Sequence, residues 1–424
     1  VPKSTKKSNP SAKALVRARE IYLDYASATP IDPGVFAVMT KVFKENFANP
    51  GSIHLLGVEV KKKLEQARAD IAKILFAHPD EIIFTSGATE SNNLAIRGVL
   101  EKWKGTPHIV TINIEHSSVL ETCRYLEKNH LAEVTYVSVP SSGVVDPALI
   151  KKALRPNTAV VSVMYANNEI GTIQPIGEIA KAIRHFRKNK LAGNPEVLPG
   201  GVNFPVFYID ATQAVNYLPI NVEKLGIDLL SFSGTKIYGP KGVGALYVKR
   251  HTPLGKILFG GDQEGGIRPG TENLAGAVGL AEALKITEGI KEKESKRLFR
   301  LQEYFIDQLQ HSEVLKDVGI LINGDEKKRL PNNVNITIPK IPSDLVVIEL
   351  SARGIYLSEK SACKSGNKAG SYILRAIRSG DKDICRKHEG SLRFSFGRAT
   401  TKSDLDYTLR ALFEILRKLG KWYN

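Results

Sequence analysis

The chain has 424 residues, 42% of them hydrophobic and 25% charged, the balance of a folded globular protein with two or three domains or one large α/β domain and a smaller companion. No apolar run approaches the roughly 20 residues that a bilayer span needs, and three cysteines without a CxxC argue against a disulfide-built secreted scaffold and for a reducing, cytoplasmic setting. The formal net charge of +16 suits acidic partners or anionic ligands, but no RNP-type aromatic motif or zinc-finger spacing accompanies it, so nucleic acid is not an expected partner.

Residues 1–20 read as a disordered basic tail: Lys3 to Arg19 holds six basic residues and no acidic one, a composition also found in organelle transit peptides. Order is expected from Ile21, with a turn at Ala28-Thr29-Pro30. Apolar positions at helical spacing predict a helix over 58–75, then a strand over 81–85 and a helix through Leu100. Strands and helices then alternate over 108–112, 118–128, 133–137, 147–153, 159–165 and 176–188. That rhythm predicts an α/β fold with a mainly parallel sheet flanked by helices. Residues 189–205, rich in Gly, Asn and Pro, read as an inserted surface loop. The sheet is expected to resume at 206–209, 227–232 and 245–248. A long helix over 274–309 follows, and the segments 333–338, 345–350, 392–396 and a last helix from Ser403 form a smaller α/β layer. The expected division is a segment over 21–30 packing on the small domain, a large domain over 31–275 and a small one over 276–424.

Chemistry gathers where strands end. The apolar run 227–232 stops in Ser233-Gly234-Thr235-Lys236, and Gly-Pro and two more glycines return the chain to the next strand. A lysine held between two buried strands is poorly hydrated, which lowers its pKa and suits it to bond an aldehyde cofactor, although a surface turn lysine has the same local sequence. Thr85-Ser86-Gly87-Ala88-Thr89 lies between a strand and a helix, where the N–H groups of Ala88 and Thr89 could hold a phosphate or simply form an N-terminus. Asp210 closes the run 205–209, and an acid there needs a cationic partner or caps a helix. Glu115-His116 and Asn167-Asn168-Glu169-Ile170-Gly171 end two further strands. Open α/β sheets place ligands at such ends.

Taken together, these segments resemble the class V, fold-type I pyridoxal phosphate (PLP) family, and within it the cysteine desulfurases of Fe–S assembly type. The resemblance is carried by Tyr22 to Pro30, Thr85 to Asn93, Glu115-His116, Asn167 to Gly171, Asp210-Ala211-Thr212-Gln213, Ser231 to Gly244, Arg268 to Asn273, Ser361-Ala362-Cys363 and Arg393 to Arg398, in family order from Ile21 onward. It implies that Lys236 is the Schiff-base lysine, Asp210 the partner of the pyridinium nitrogen and His116 the ring-stacking residue and proton shuttle. It implies further that Gln213 and Asn168 bond the ring oxygen or the substrate. Ala88, Thr89 and Ser233 would hold the phosphate, joined by Thr271 from the neighbouring subunit of a homodimer, and Arg393 would grip the substrate carboxylate. Thr235 departs from the family's histidine before the lysine, and its hydroxyl can still donate to a phosphate oxygen.

Cys363 selects the reaction. It sits in a small, polar, Gly-containing stretch between Lys360 and Lys364, which favours thiolate over thiol. The resemblance implies that L-cysteine becomes L-alanine while its sulfur passes to Cys363 as a persulfide, for delivery to an Fe–S scaffold or another sulfur-carrier protein. Alternatives are a selenocysteine lyase, another class V transferase, or an inactive sulfur-relay scaffold. Cys385 and His388 share a metal-ligand spacing, but two ligands do not make a structural zinc site, and no metal is expected.

Overall fold

The chain enters the fold through β1 (Ile21–Tyr22), and α1 (Pro33–Glu45) and α2 (Leu55–Leu75) follow. The computed structural model describes residues 19–193, 204–313, 318–339, 341–360, 371–378 and 390–423. Asp32 starts α1 by accepting from the Gly34 N–H, with Pro33 at the first helical position. This helix is not among the expected elements, because Phe36 and Phe43, 60% and 68% exposed, blur the apolar stripe of Val35 and Val42. The second helix starts three residues before the expected point because His54 caps it, Nδ1 accepting from the Gly57 N–H.

Strands and helices then alternate: β2 (Ile82–Thr85), α3 (Ala88–Leu100), β3 (His108–Ile112), α4 (Ser117–Lys128), β4 (Glu133–Val137), α5 (Pro147–Ala153), β5 (Thr158–Ser162) and α6 (Ile176–Gly193). The last helix runs five residues into the stretch expected to be a loop, since the breaking residues begin only at Gly193-Asn194-Pro195. The rest of that expected loop lies largely outside the described residues. β6 (Val206–Asp210), the short α7 (Val222–Leu225), β7 (Leu229–Ser233) and β8 (Gly244–Val248) complete a seven-stranded sheet ordered β2-β8-β7-β6-β5-β3-β4. Pairing from β7 through β6, β5 and β3 to β4 is parallel, and β8 runs antiparallel to both of its neighbours. Every residue of β3, β5, β6 and β7 is buried, as strands covered on both faces should be. Phe207 and Phe232 are fully buried there, each contributing about 2–3 kcal/mol by removal from water.

α8 (Leu274–His311) is the spine between two layers: it packs on α1 and α2, and its second half carries Phe305 under the smaller sheet. There the Phe305 ring meets Phe394 and Phe396 with centroids 5.0 and 5.6 Å away. The smaller sheet contains β9 (Leu321–Ile322), β10 (Asn333–Thr337), β12 (Ser358–Lys360) and β13 (Ser391–Ser395), while β11 (Ile355–Tyr356) pairs in parallel with β1. Helices Ser343–Ser351, Tyr372–Ile377 and Lys402–Tyr423 belong to this layer. From β1 the chain crosses to the main sheet, bonding Ser395 through Leu23 and Tyr25 and then Thr235 through Thr29.

Candidate active site

The parallel run of β3, β5, β6 and β7 turns their C-terminal ends to one edge, and β2, antiparallel to β8, ends there as well. Five strand ends therefore deliver side chains to one cavity of roughly 500 Å³. Ala88, Thr89, His116, Asn168, Asp210, Gln213, Ser233, Thr235, Lys236 and Arg393 all line it. Of the sequence candidates, Thr271 is exposed and lies outside this lining. Cys363 lies outside the described residues, as do Cys385 and His388. Among the described residues Cys123 is the one free cysteine, and burial pushes its thiol well above the usual range, so it is an inert core residue.

Lys236 ends a single 3-10 turn after β7. The turn closes tightly: a Cβ on Gly234 would stand 2.5 Å from the Pro240 carbonyl oxygen. Outside support comes from Thr29, whose N–H and hydroxyl donate to the Thr235 carbonyl and whose Oγ1 accepts from the Tyr238 N–H at 2.8 Å. Asn216 donates to the Lys236 carbonyl at 3.0 Å. The Lys236 ammonium donates to the Ser27 carbonyl. Burial, reinforced by the Arg393 charge and opposed by Asp24 and Asp210, lowers the amine from 10.5 to about 8. At pH 7.5 roughly one quarter of such an amine is free base, against roughly one part in a thousand for an ordinary lysine.

Across the cavity, Asp210 ends β6 with both oxygens engaged. Oδ1 accepts from the Thr212 N–H at 2.9 Å, and Oδ2 accepts from Asn92 Nδ2 at 2.9 Å. Asn92 also donates to Ser118 Oγ at 2.8 Å, and its Oδ1 receives the hydroxyls of Tyr208 and Ser231. His116 caps α4: Nδ1 accepts from the Ser118 N–H at 3.2 Å and lies 2.8 Å from Ser118 Oγ. Beneath it, Glu115 is wholly buried; its Oε1 accepts from the Met164 N–H and its Oε2 has no partner among the described residues. Desolvation, with Asp210 nearby, drives this carboxyl well above the usual range.

The N-terminus of α3 faces the same space. Its cap, Gly87, has φ 147° and provides no side-chain acceptor, so nothing from the cap covers the first-turn N–H groups. Gly244 makes room for that turn, because a Cβ there would come 2.8 Å from the Gly87 Cα. On the opposite wall, Arg393 is 5% exposed. Its Nη2 donates to Asp24 at 2.6 Å, to Ser27 and to Ser358, and its Nη1 donates to the Asn168 carbonyl at 2.9 Å. Nε of Arg393, Oδ1 of Asn168 and Oγ1 of Thr212 are buried without partners among the described residues.

Several contributors have no strong local signal. Ser27 and Asp24 come from the crossing segment, and Ser358 and Glu359 from the smaller sheet. Asn92 shows one trace in the sequence, a polar amide in the apolar stripe of Leu94, Ala95, Ile96 and Val99. Arg68 and Glu264, paired in a fork at 2.7 and 2.8 Å, fasten the 262–272 segment to β2, where Glu264 also accepts the Phe84 N–H. No group of three or more metal-ligating side chains occurs among the described residues.

A buried carboxylate at one strand end, an amine of lowered pKa at the next and uncapped helix N–H groups opposite are the features of the class V PLP fold. The Aminotransferase class-V family matches residues 21–194 and 198–408, and the chain belongs to it. Within that family it is 43% identical over 403 residues to the cysteine desulfurase IscS of Dictyoglomus turgidum, covering 95% of each chain. It is 40% identical to the cysteine desulfurase IscS of Methanosarcina thermophila, across 95% of this chain and 93% of that one. Among solved structures it matches a NifS-like protein with a TM-score of 0.82 and 33% identity, covering 95% of this chain and 100% of the other. It also matches SspA in complex with cysteine, with a TM-score of 0.71 and 33% identity over 89% and 98% of the two chains.

The family works with PLP, and the residues present fit that group. The cavity has the volume of a cofactor site, the α3 turn offers uncapped donors for a phosphate, and the orphaned Asn168 Oδ1 and Thr212 Oγ1 leave polar capacity unused.

Proposed function

We propose that this protein is a PLP-dependent cysteine desulfurase that converts L-cysteine to L-alanine and carries the released sulfur on Cys363. The observation that carries the reading is the pairing of Lys236, its amine lowered to about 8, with the buried carboxylate of Asp210 in one cavity, in a chain 43% identical to a cysteine desulfurase. When bound, PLP supplies an aldehyde carbon for the amine and an electron-withdrawing ring that acidifies the substrate Cα–H.

The chain's own residues do the rest. Lys236 would bind that carbon and, once released, take the Cα proton on Nζ. Asp210 would hold a proton on the ring nitrogen, and His116 would lie on the ring face and give or take a proton at the substrate. Ala88, Thr89, Ser233 and Thr235 would hold the phosphate, and Thr271 would reach the phosphate site of a second copy. Asn168 and Gln213 would meet the ring oxygen or substrate. Nε of Arg393 has no partner among the described residues, which leaves that guanidinium capacity for the substrate carboxylate. The overall exchange balances: a thiol and cysteine give a persulfide and alanine, with the C–S bond and the S–H bond of the attacking thiol broken, an S–S bond and a C–H bond formed, and no outside oxidant or reductant.

The organisation we propose is a large domain over 31–275 and a small one over 276–424, with 21–30 packed on the latter. The assembly is a homodimer: Phe47, Ile53 and Phe259 are 81%, 98% and 86% exposed, an apolar surface of the kind that a second copy covers. No helix among the described residues is long and apolar enough to cross a membrane. We place the enzyme in the cytoplasm, passing sulfur to an Fe–S scaffold or sulfur-carrier protein.

The test is incubation of the full chain with PLP and L-cysteine without reductant, reading alanine and trapped persulfide by mass spectrometry. One alanine per persulfide is expected, and Cys363→Ser abolishes both beyond background. Alanine at the wild-type rate from that variant would remove Cys363 from the reaction.

A further inference from the structure

Asn92 sits where nothing in the reaction requires an amide, fully buried, between the carboxylate of Asp210 and the imidazole of His116. Its orientation follows from its neighbours. A carboxylate only accepts, so the atom facing Asp210 Oδ2 at 2.9 Å is the NH₂ group, and its second hydrogen goes to Ser118 Oγ at 2.8 Å. Oδ1 then meets the hydroxyls of Tyr208 and Ser231. Both ends of the amide are engaged, so it cannot flip without facing oxygen with oxygen.

The same bookkeeping of hydrogens reaches the histidine. The Ser118 backbone N–H points at His116 Nδ1 at 3.2 Å, and a backbone N–H can only donate, so Nδ1 is an acceptor. Ser118 Oγ receives the Asn92 hydrogen and is left to aim its own at Nδ1, 2.8 Å away. The ring proton therefore resides on Nε2, which has no partner among the described residues, on a side chain that lines the cavity.

We propose that Asn92 and Ser118 are positioning residues: a relay from Asp210 through the Asn92 amide and the Ser118 hydroxyl that holds His116 as its Nε2–H tautomer and keeps that proton ready for the cavity. The consequence for catalysis rests on the desulfurase reading above; the tautomer does not. His116 offers a hydrogen to a substrate or cofactor atom rather than a lone pair, and the group that fixes the cofactor end of the cavity also fixes the donor.

The test is a ¹⁵N–¹H correlation spectrum of the full chain labelled on its histidine rings, with and without PLP, at about pH 8.5, above the ordinary histidine range of about 6.5. His116→Gln identifies the signals. The expected wild-type result is one His116 species, protonated on Nε2 and unprotonated on Nδ1. Ser118→Ala removes the 2.8 Å hydroxyl contact and leaves only the longer 3.2 Å backbone N–H on Nδ1, so a population protonated on Nδ1 should appear beside the Nε2–H form. Ser118→Thr, which restores a hydroxyl at the same position, should return the single species, and Asn92→Ala should shift the His116 signals without contact to the ring. In turnover, Ser118→Ala should lower kcat by about tenfold with KM little changed, a fraction of the 10²–10⁴-fold that a positioned acid contributes. A wild-type His116 protonated on Nδ1, or a Ser118→Ala spectrum identical to wild type, would overturn the relay. If no variant, wild type included, made alanine while the tautomer behaved as described, the desulfurase reading would fail and the relay would stand.

Discussion

Replacing Lys236 with methionine removes a buried charge but keeps a chain of similar length, so it measures what holding that amine in the cavity does to the fold. Burial, seconded by Arg393, takes the amine from 10.5 to about 8, and at about 1.4 kcal/mol per unit this is roughly 3 kcal/mol. The sign follows from where the proton binds. Below pH 8 both folded and unfolded chains are protonated, and the folded one bears the full penalty. Between pH 8 and 10.5 the unfolded chain binds more protons, so wild-type stability rises with pH, and above that window the penalty is gone. Methionine never bears it, but the variant loses the hydrogen bond to the Ser27 carbonyl, about 1 kcal/mol. The net gain at pH 7 is about 2 kcal/mol; at pH 10 about 0.8 kcal/mol of penalty remains and the lost hydrogen bond cancels it. With an unfolding entropy of about 2 cal/mol/K per residue, the gain raises Tm by about 2 °C in this 424-residue chain. Thermal unfolding of the PLP-free wild type and variant at both pH values reads it. A variant no more stable at pH 7, or a gain equal at both pH values, would refute the buried-amine argument.

Asp210→Asn should lower alanine production by about 10²-fold or more, because the negative charge proposed to hold the proton on the ring nitrogen would be lost. Arg393→Lys keeps the charge but not the fork that joins Asp24, Ser27, Ser358 and Asn168; KM for cysteine should rise about tenfold or more in steady-state assays. Glu264→Ala leaves the Arg68 guanidinium buried beside a single partly exposed acid and should destabilise the fold by about 3–5 kcal/mol in urea titrations, whereas Arg68→Met with Glu264→Leu should recover most of that loss.

How much of this was legible in the sequence depended on distance along the chain. Lys236, Asp210, His116 and Asn168 each end an apolar run, and a parallel sheet sends such ends to one edge, so local patterns were enough to bring them forward. The α/β rhythm was legible for the same reason, since strands buried on both faces are continuous apolar runs. Helix α1 was not, because Phe36 and Phe43 face outward and obscure its period. Nor were the contacts of Arg393 with Asp24, 369 residues away, or of Arg68 with Glu264, 196 residues away. Those pairs exist only once the crossing segment and the 262–272 segment have been laid against the sheets. Asn92 left a weak trace, an amide in an apolar stripe, whose meaning appears only when Asp210 and Ser118 arrive on either side. Thr235, the departure from the family pattern, lines the cavity with its carbonyl bonded by Thr29, so the turn keeps its shape without the histidine.

The most direct measurement is to saturate the purified chain with PLP, reduce it with borohydride and map the pyridoxyl group by peptide mass spectrometry. The account predicts a single modified residue, Lys236, with the absorbance of the bound aldehyde bleached in step. A pyridoxyl group on any other lysine, with Lys236 recovered unmodified, would contradict it.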